Sequence, residues 1–307
     1  MAQIGLGLAA IGRPAYITLG RERDLGADRS VETLRAEAET LLDAAWEAGV
    51  RWVDAARSYG RAEEFLAGWL RARGRRPDEL TVSSKWGYAY VGGWRLDAEV
   101  HERKELTAAQ LRRQLAETRE LLDGFLDLYA IHSATVESGV LDDGEVLGLL
   151  AELRASGVRV GLSTTGPRQA ETIDHAVSLG AFDAVQATWN LYERSAGPAL
   201  ERAHAAGMTV LVKEGVANGR LAGEAAPHEL AVAAAERGVG ADALALAAIA
   251  ARPWVDVVLS GAVTPAMLAS NLTARDVVWD DELERRLAGL AREPDRYWRE
   301  RGELPWS

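Results

Sequence analysis

Four side chains of complementary chemistry stand at the ends of short apolar runs in this sequence. Asp54 ends one such run and Tyr59 follows five residues later, while Lys85 and His132 end two further runs. A carboxylate, a phenol, an ammonium group and an imidazole suit the reduction of a carbonyl. When a hydride reaches the carbonyl carbon, a donor must protonate the oxygen.

Each of the four side chains has a separate expected role in such a reaction. Tyr59 is the candidate general acid, and Lys85 is expected to stabilise its phenolate and so lower a pKa that is ordinarily near ~10. Asp54 would keep Lys85 protonated, and His132 would donate a hydrogen bond to the carbonyl oxygen and orient the substrate. None of the four can carry a hydride, so a nicotinamide cofactor is required.

The elements that must position these residues are an alternation of strands and helices. The apolar runs predict eight strands over residues 4–8, 51–54, 80–85, 126–132, 158–163, 184–187, 209–213 and 255–259. Amphipathic stretches lie between them, which indicates an α/β fold of the (β/α)₈ (TIM) barrel type. The reactive face of such a barrel is at the carboxyl ends of its strands, where the four side chains stand.

Helix signals complete this prediction. Ser30 and Thr107 are expected to cap the first long helix and a strongly periodic one, and the alanine-rich region 227–251 is expected to form two helices split at residues 238–240. An additional helix is predicted over 280–291. An open doubly wound sheet is the alternative architecture, but it would place a glycine-rich phosphate turn after its first strand, and no Gly-x-Gly-x-x-Gly occurs there.

Composition limits the classes of function. With 307 residues and 48% apolar content, residues 1–307 are expected to form a single domain, since no Ser/Pro/Gly-rich linker interrupts them. A net charge of −11 opposes nucleic-acid binding. The absence of cysteine fits a cytoplasmic protein. Neither a signal peptide nor a run of about 18 apolar residues is found, so no membrane association is expected. The choice between monomer and homo-oligomer stays open.

Three other functions are alternatives to carbonyl reduction. A barrel glycosidase needs two carboxylates at strand ends, and Glu214 lacks a partner because the fourth strand ends in His132. Metal-dependent hydrolases need clustered ligands, whereas the five histidines are scattered, so no metal is expected. A noncatalytic nucleotide-binding or regulatory barrel that keeps the fold is the remaining alternative.

The sequence also resembles the aldo-keto reductase family. In that family a Gly-Val strand ends in Asp, continues through a Tyr-Gly pair and enters a helix that starts with Glu-Glu. The similar stretches are residues 49–70, 83–90, 186–193 and 217–221. The resemblance implies an oxidoreductase that moves a hydride between NADPH, with NADH as a possible substitute, and an aldehyde, ketone or sugar carbonyl or alcohol. It also implies that Asp54, Tyr59, Lys85 and His132 are the catalytic residues.

The resemblance further implies which residues contact the cofactor. The matching positions are Ser163, Thr164, Gln186, Lys213, Glu214, Ser260, Gly261, Thr264 and Asn271. Two departures stand out. Lys213 and Glu214 occupy the place of an aromatic that commonly stacks on the nicotinamide. Ser260-Gly261-Ala262 and Met267 occupy the places where NADP-preferring members often carry a Lys or Arg pair for the 2′-phosphate.

The substrate pocket is expected to be lined by one charged and several aromatic side chains. The candidates are Arg57, Trp86, Trp94 and Trp189, with Tyr16 and Trp306 as further positions. Aromatic walls suit an apolar or sugar-like carbonyl, and Arg57 could hold a carboxylate or hydroxyl. Packing of the tryptophans over the barrel top is the alternative interpretation.

Overall fold

The centre of the computed structural model, which describes residues 2–307, is a closed barrel of eight parallel strands. The ten strands within residues 2–307, of which all but β4 and β5 belong to the barrel, are β1 (Gln3–Gly7), β2 (Trp52–Asp54), β3 (Thr81–Trp86), β4 (Tyr88–Tyr90), β5 (Glu102–Lys104), β6 (Leu126–Ala134), β7 (Arg159–Thr164), β8 (Ala184–Thr188), β9 (Thr209–Lys213) and β10 (Val257–Ser260). The barrel order is β1-β2-β3-β6-β7-β8-β9-β10, and β10 pairs with β1 to close it. The predicted (β/α)₈ barrel is confirmed, with each predicted strand within two residues of an observed one.

Helices surround the barrel. They are α1 (Arg21–Asp24), α2 (Val31–Glu47), α3 (Ala62–Ala72), α4 (Ala108–Leu122), α5 (Gly144–Ala155), α6 (Gln169–Leu179), α7 (Gly197–Ala205), α8 (His228–Glu236), α9 (Ala241–Ala250), α10 (Pro265–Leu272), α11 (Asp281–Leu287) and α12 (Pro294–Gly302). The Ser30 and Thr107 side chains accept hydrogen bonds from the first turns of α2 and α4, as predicted for helix caps. No helix within residues 2–307 is long and apolar enough to cross a membrane.

The barrel interior is apolar toward the amino ends of the strands and polar at their carboxyl ends. One buried cluster fills the part of the barrel nearer the amino ends of the strands, and it includes Trp52, Leu128, Leu211 and Val257. Because side chains alternate along a strand, Asp54 faces the same way as Trp52, two residues nearer the carboxyl end of β2. The polar side chains at the carboxyl ends of the strands therefore pack on this apolar cluster.

Three parts of the fold have no counterpart in the sequence prediction. Strands β4 and β5 form an antiparallel hairpin beside the barrel. The first loop (residues 8–20) forms an antiparallel bridge with the last residues of the chain, through Ile17 and Trp306. Helix α12 follows the predicted C-terminal helix, which the structure resolves into α11 and a short 3₁₀ turn.

Candidate active site

The structure brings the four candidate catalytic side chains together at the carboxyl ends of β2, β3 and β6. Lys85 Nζ donates to Asp54 Oδ2 at 2.5 Å and to the Ala55 carbonyl at 2.9 Å. The same ammonium group lies 3.4 Å from the Tyr59 hydroxyl. The rings of Tyr59 and His132 meet edge to face with their centroids 5.4 Å apart.

The Asp54 carboxylate is buried and has hydrogen-bond partners on both oxygens. Besides the Lys85 ion pair on Oδ2, its Oδ1 accepts from Ser83 Oγ at 2.7 Å and from Gln186 Nε2 at 3.2 Å. Trp52 Nε1 donates in turn to Ser83 Oγ at 3.0 Å. A buried ion pair is stable only when its remaining hydrogen-bonding capacity is met, and this network meets it.

The Tyr59 phenol is held in its neutral form. Burial, followed by the charge of Asp54, raises the pKa of Tyr59 well above its usual value, and the Arg13 cation opposes that rise only in part. The net shift of this pKa is upward because desolvation of the phenolate and the charge of Asp54 outweigh the neighbouring cation Arg13. A neutral phenol beside an ammonium group is equipped to donate a proton.

His132 is a neutral imidazole at the wall of the site. Burial, and then the charge of Lys85, lowers the pKa of His132 well below its usual value. Its Nδ1 lies 3.4 Å from Ser58 Oγ, a hydroxyl that can donate to it and leave the ring proton on Nε2. Tyr88 packs against the imidazole with a centroid distance of 5.0 Å and fixes its orientation together with Tyr59.

The Arg13 guanidinium lies among three aromatic rings, one of which is that of Tyr59. Its buried guanidinium carbon lies 5.0 Å from the ring centroid of Tyr16, 5.2 Å from that of Tyr59 and 5.1 Å from that of Trp306. Its Nη1 forms a 2.8 Å ion pair with Glu102 of the hairpin. Distances of this size are typical of cation–π contacts, so Arg13 ties the first loop and the end of the chain to the catalytic tyrosine candidate.

The carboxyl end of β9 carries a partly buried group of charges. Lys213 Nζ donates to Thr188 Oγ1 at 2.9 Å, and Glu214 accepts from Arg301 of α12 through both carboxylate oxygens. Burial opposes ionisation of Glu214, but Arg301 and Lys213 outweigh it and hold the pKa of this carboxyl at about 2. Burial lowers the pKa of Lys213 to about 8 in spite of the neighbouring Glu214 carboxylate.

One cavity connects this group to the catalytic candidates. It is lined by Asp54, Tyr59 and His132. Six of the nine predicted cofactor positions line the same cavity, namely Gln186, Lys213, Glu214, Ser260, Gly261 and Asn271. These predicted cofactor positions and the catalytic candidates therefore face one continuous space.

The other three predicted cofactor positions lie outside the cavity lining. Ser163 Oγ is fully buried and accepts from the Ser133 backbone N–H at 2.8 Å. Thr164 is fully buried beside Gln169. Thr264 caps α10. In the structure, these three side chains have local partners within the fold.

The far end of the cavity has the chemistry that a dinucleotide requires. Ser260 Oγ donates to Asn271 Oδ1, and Asn271 Nδ2 donates to Asp242, both at 2.7 Å. Asn218 also lines the cavity, and its amide nitrogen donates to the Ile17 carbonyl at 2.8 Å. Its Oδ1 is buried without a partner, an acceptor that a ribose hydroxyl would satisfy. Amides and hydroxyls of this kind fit the sugar and carboxamide groups of a nicotinamide nucleotide.

Four cationic side chains line the cavity within residues 2–307, namely Arg13, Arg21, Lys213 and Arg301. Arg13 and Arg301 are paired with carboxylates, and Arg21 donates to four backbone carbonyl oxygens. Lys213 lies at the carboxyl end of β9 and donates to Thr188. The arginines are thus occupied by partners within the fold, so none offers a free guanidinium fork to a 2′-phosphate.

The four predicted substrate residues lie outside the cavity lining. Arg57 is ion-paired with Glu63 and Glu117, and Trp86 is fully buried in the core. Trp94 donates its indole N–H to a backbone carbonyl at 2.7 Å, and Trp189 packs edge to face on another tryptophan. For the tryptophans, the alternative interpretation as packing residues matches these positions.

The aromatic wall of the cavity comes from residues at other positions. Tyr16 and Trp306, the two further candidates, line it together with Tyr88. Tyr88 lies within the 83–90 stretch, three residues after Lys85, so its position beyond a strand end was a usable signal. Arg13 and Arg301 gave no such signal, because Arg13 lies within the Gly12-Arg13-Pro14 break after the first strand and Arg301 lies in a region assigned no element. Within residues 2–307, no group of three or more His, Asp or Glu side chains is arranged to hold a metal ion.

The fold and the site together define a (β/α)₈ barrel whose polar centre can protonate a carbonyl oxygen. The sequence model of the aldo/keto reductase family matches residues 4–291, and the chain belongs to that family. The protein is therefore an NAD(P)H-dependent oxidoreductase that acts on small-molecule carbonyl or alcohol substrates.

Individual relatives agree with this assignment. The chain is 27% identical over 244 residues to a D-threo-aldose 1-dehydrogenase of a Pseudomonas species, which covers 74% of this chain and 71% of that protein. It is 40% identical to a pyridoxal 4-dehydrogenase of Microbacterium luteolum over 55 residues, 17% of this chain and 15% of that one.

Solved structures share the same fold. A candidate aldo-keto reductase from Pseudomonas aeruginosa is similar with a TM-score of 0.64, 25% identity and 88% coverage of both chains. An aldo-keto reductase from Bacillus halodurans in its holo form is similar with a TM-score of 0.69 at 18% identity, over 95% of this chain and 92% of that one, and this likeness concerns the fold.

Proposed function

We propose that this enzyme uses Tyr59 as the general acid and base in hydride transfer between a nicotinamide and an aldehyde, ketone or sugar carbonyl. The observation that carries the proposal is the contact of a buried Lys85–Asp54 ion pair with the Tyr59 hydroxyl, at 3.4 Å from Lys85 Nζ. The cytoplasm is the proposed site of action, in keeping with a chain that has no cysteine.

The side chains of the site would handle the proton. Tyr59, neutral because its pKa is raised, would donate its proton to the carbonyl oxygen as negative charge develops there. Lys85 would stabilise the phenolate that remains, and Asp54 would keep Lys85 charged. His132 would donate from Nε2 to the same oxygen and fix the carbonyl in place. When bound, the reduced nicotinamide supplies the hydride.

Gln186, Asn218, Ser260 and Asn271 are the proposed polar contacts of the cofactor, since all four line the cavity. NADPH is the form implied by the family, but Met267 lies where a basic side chain would hold its 2′-phosphate. We therefore expect NADPH and NADH to bind with affinities within about tenfold of each other.

A polyhydroxylated or aromatic aldehyde is the proposed substrate class. The aromatic rings of Tyr16, Tyr88 and Trp306 line the cavity, and such walls suit the faces of sugar or pyridine rings. The names of the relatives, an aldose dehydrogenase and a pyridoxal dehydrogenase, support the same class.

The test combines cofactor binding with turnover. Titration with NADPH and with NADH, followed by tryptophan fluorescence, should give saturable binding for the wild type and for Tyr59→Phe. Turnover of aldose and pyridoxal substrates should fall by at least about a hundredfold in Tyr59→Phe, because the general acid is lost. Tyr192→Phe, at a tyrosine outside the cavity lining, is the matched control and should keep full turnover.

Two results would contradict the proposal. Undiminished turnover in Tyr59→Phe would remove Tyr59 from the reaction. Tight nucleotide binding by the wild type, with no turnover of any carbonyl or alcohol tried, would favour a noncatalytic nucleotide-binding barrel.

A further inference from the structure

Lys213 is a partly buried cation in the wall of the catalytic cavity, and the proton-transfer steps do not use it. It ends β9, and its Nζ donates to Thr188 Oγ1 at 2.9 Å. The nearest carboxylate, Glu214, has an oxygen 3.8 Å from Nζ. That carboxylate is already engaged by both oxygens with Arg301.

The charges around Lys213 balance without it. From its own segment it faces Glu214, and from α12 it faces Arg301, which form one pair. Lys85 on β3 and Asp54 on β2 also interact electrostatically with Lys213, and these two form a second pair. With His132 neutral, the protonated form of Lys213 is the unbalanced charge of this set.

The proposed function places a change of charge within reach of this ammonium group. Hydride transfer requires the donor carbon within roughly 3–3.5 Å of the carbonyl carbon. The carbonyl oxygen would lie at Tyr59 and His132, which line the same cavity as Lys213. The reduced nicotinamide ring is uncharged. On losing a hydride, which carries two electrons, it becomes a cation.

We propose that Lys213 makes this site bind the reduced nicotinamide more tightly than the oxidised one, through repulsion between its ammonium group and the pyridinium cation. This inference rests on the proposed function and adds a selectivity to it. An oxidised cofactor would leave more readily after carbonyl reduction, so the residue favours turnover in the reductive direction.

The selectivity should depend on pH. Since the pKa of Lys213 is about 8, the ammonium form dominates at pH 6.5 and is largely lost at pH 9.0. The preference for the reduced cofactor is therefore expected below pH 8 and should fade above it. By linkage, binding of the oxidised cofactor near pH 8 should release protons, because a second cation disfavours the charged lysine.

The experiment measures dissociation constants for the reduced and oxidised forms of one cofactor at pH 6.5 and 9.0. In the wild type, the ratio of the oxidised to the reduced constant should be on the order of tenfold higher at pH 6.5 than at pH 9.0, as expected for unit charges about 10 Å apart at an effective dielectric constant of about 20. Lys213→Met should give a low ratio at both pH values. Lys213→Arg should keep the high ratio at both, since arginine stays charged.

Lys104→Met is the matched control, because Lys104 donates to the Ser133 carbonyl and is absent from the cavity lining. It should keep the wild-type ratios. Calorimetry of oxidised-cofactor binding in two buffers of different ionisation enthalpy should detect proton release near pH 8 in the wild type and none in Lys213→Met.

Each contrary outcome has a distinct meaning. A wild-type ratio that equals that of Lys213→Met at pH 6.5 would overturn the role of Lys213 and leave the proposed function standing. A failure of the wild type to bind either form would overturn the proposed function and this inference with it. The Lys213→Arg protein keeps the test decisive if the methionine variant does not fold.

Discussion

At the scale of single residues, the site depends on a buried ion pair whose members need each other. Lys85 and Asp54 are both nearly inaccessible to solvent and lie 2.5 Å apart. Such a pair contributes little net stability compared with apolar residues, but loss of one partner leaves an uncompensated charge in the core. Its value here is chemical, since it keeps a cation in contact with the phenol.

The Lys85→Met variant should lose about 3 kcal/mol of unfolding free energy, since Asp54 would stay buried without its cation. The Lys85→Met/Asp54→Leu double variant should recover part of this loss, because both charges are removed. Urea denaturation followed by circular dichroism measures the two values. A double variant no more stable than the single one would show that the cost does not arise from the orphaned carboxylate. Neither variant should retain turnover.

At the scale of elements, helix α12 contacts the carboxyl end of β9 from outside the barrel through the ion pair between Arg301 and Glu214, which is called the clamp below. Arg301 of α12 reaches Glu214 after β9 with an Nη2–Oε1 distance of 2.5 Å. Glu214 itself has a left-handed backbone with φ of 55°, a conformation that non-glycine residues adopt at some cost. Helix α12 therefore holds the end of β9 in the shape that lines the cavity.

This clamp should make the protein sensitive to acid. The folded-state pKa of Glu214 is about 2, below its ordinary value of 4.5. A lowered carboxyl pKa stabilises the fold above the unfolded-state pKa, and that stability is lost as the pH falls from about 4.5 toward 2. The Glu214→Gln variant should be less stable than the wild type by about 3 kcal/mol at pH 7, and the difference should fall by more than half by pH 3.

Urea denaturation of both proteins across this pH range measures the difference. Glu236→Gln is the control, since Glu236 also binds an arginine but is exposed and should show little effect at any pH. A Glu214→Gln difference that stays constant from pH 7 to pH 3 would show that the carboxylate is not what the clamp stabilises.

The elements also show which parts of the structure could be predicted from the sequence. The eight strands and the two helix caps followed from apolar runs and capping residues, because these are local signals. The grouping of the four catalytic candidates followed because parallel strands bring their carboxyl ends together whatever the details of the loops. The hairpin β4–β5 carries mostly polar residues on β5, and α12 is strongly charged, so neither has a periodic apolar signal.

The same limit applies to the pocket. Trp86 is the last residue of β3, and because side chains alternate along a strand it faces away from Lys85 and into the core. Trp94 and Trp189 had the right residue type beyond strand ends, but the direction of a loop side chain depends on contacts far away in sequence. Trp94, for example, packs on Phe65 of α3, with a centroid distance of 6.4 Å. The raised pKa of Tyr59 was missed for a related reason, because the degree of its burial depends on the first loop and on Trp306.

At the scale of the whole molecule, segments from both ends of the chain close over the barrel mouth. The backbones of Tyr16 and Ser307 exchange two hydrogen bonds of 2.9 and 3.0 Å, and Arg21 donates to the Ser307 carbonyl at 2.7 Å. Trp306 stacks on His101 with a centroid distance of 4.4 Å. The first loop, the hairpin region and the last residues thus form one cover, with Arg13 at its centre.

Because Trp306 lines the cavity in which the proposed substrate binds, the Trp306→Ala variant should bind substrate less well while the chemical step changes little. We expect KM for an aldehyde substrate to rise by about tenfold, the loss of one aromatic contact, with kcat within about threefold of the wild type. Cofactor affinity should be unchanged, since the rings and cation that the Trp306 side chain contacts, His101 and Arg13, are not among the proposed cofactor contacts. Trp46→Ala, outside the cavity lining and stacked by two arginines on the outer surface, controls for the loss of a tryptophan. A fall in kcat with KM unchanged would instead mean that Trp306 acts through Arg13 on Tyr59, and would move the cover from substrate recognition into the proton-transfer step.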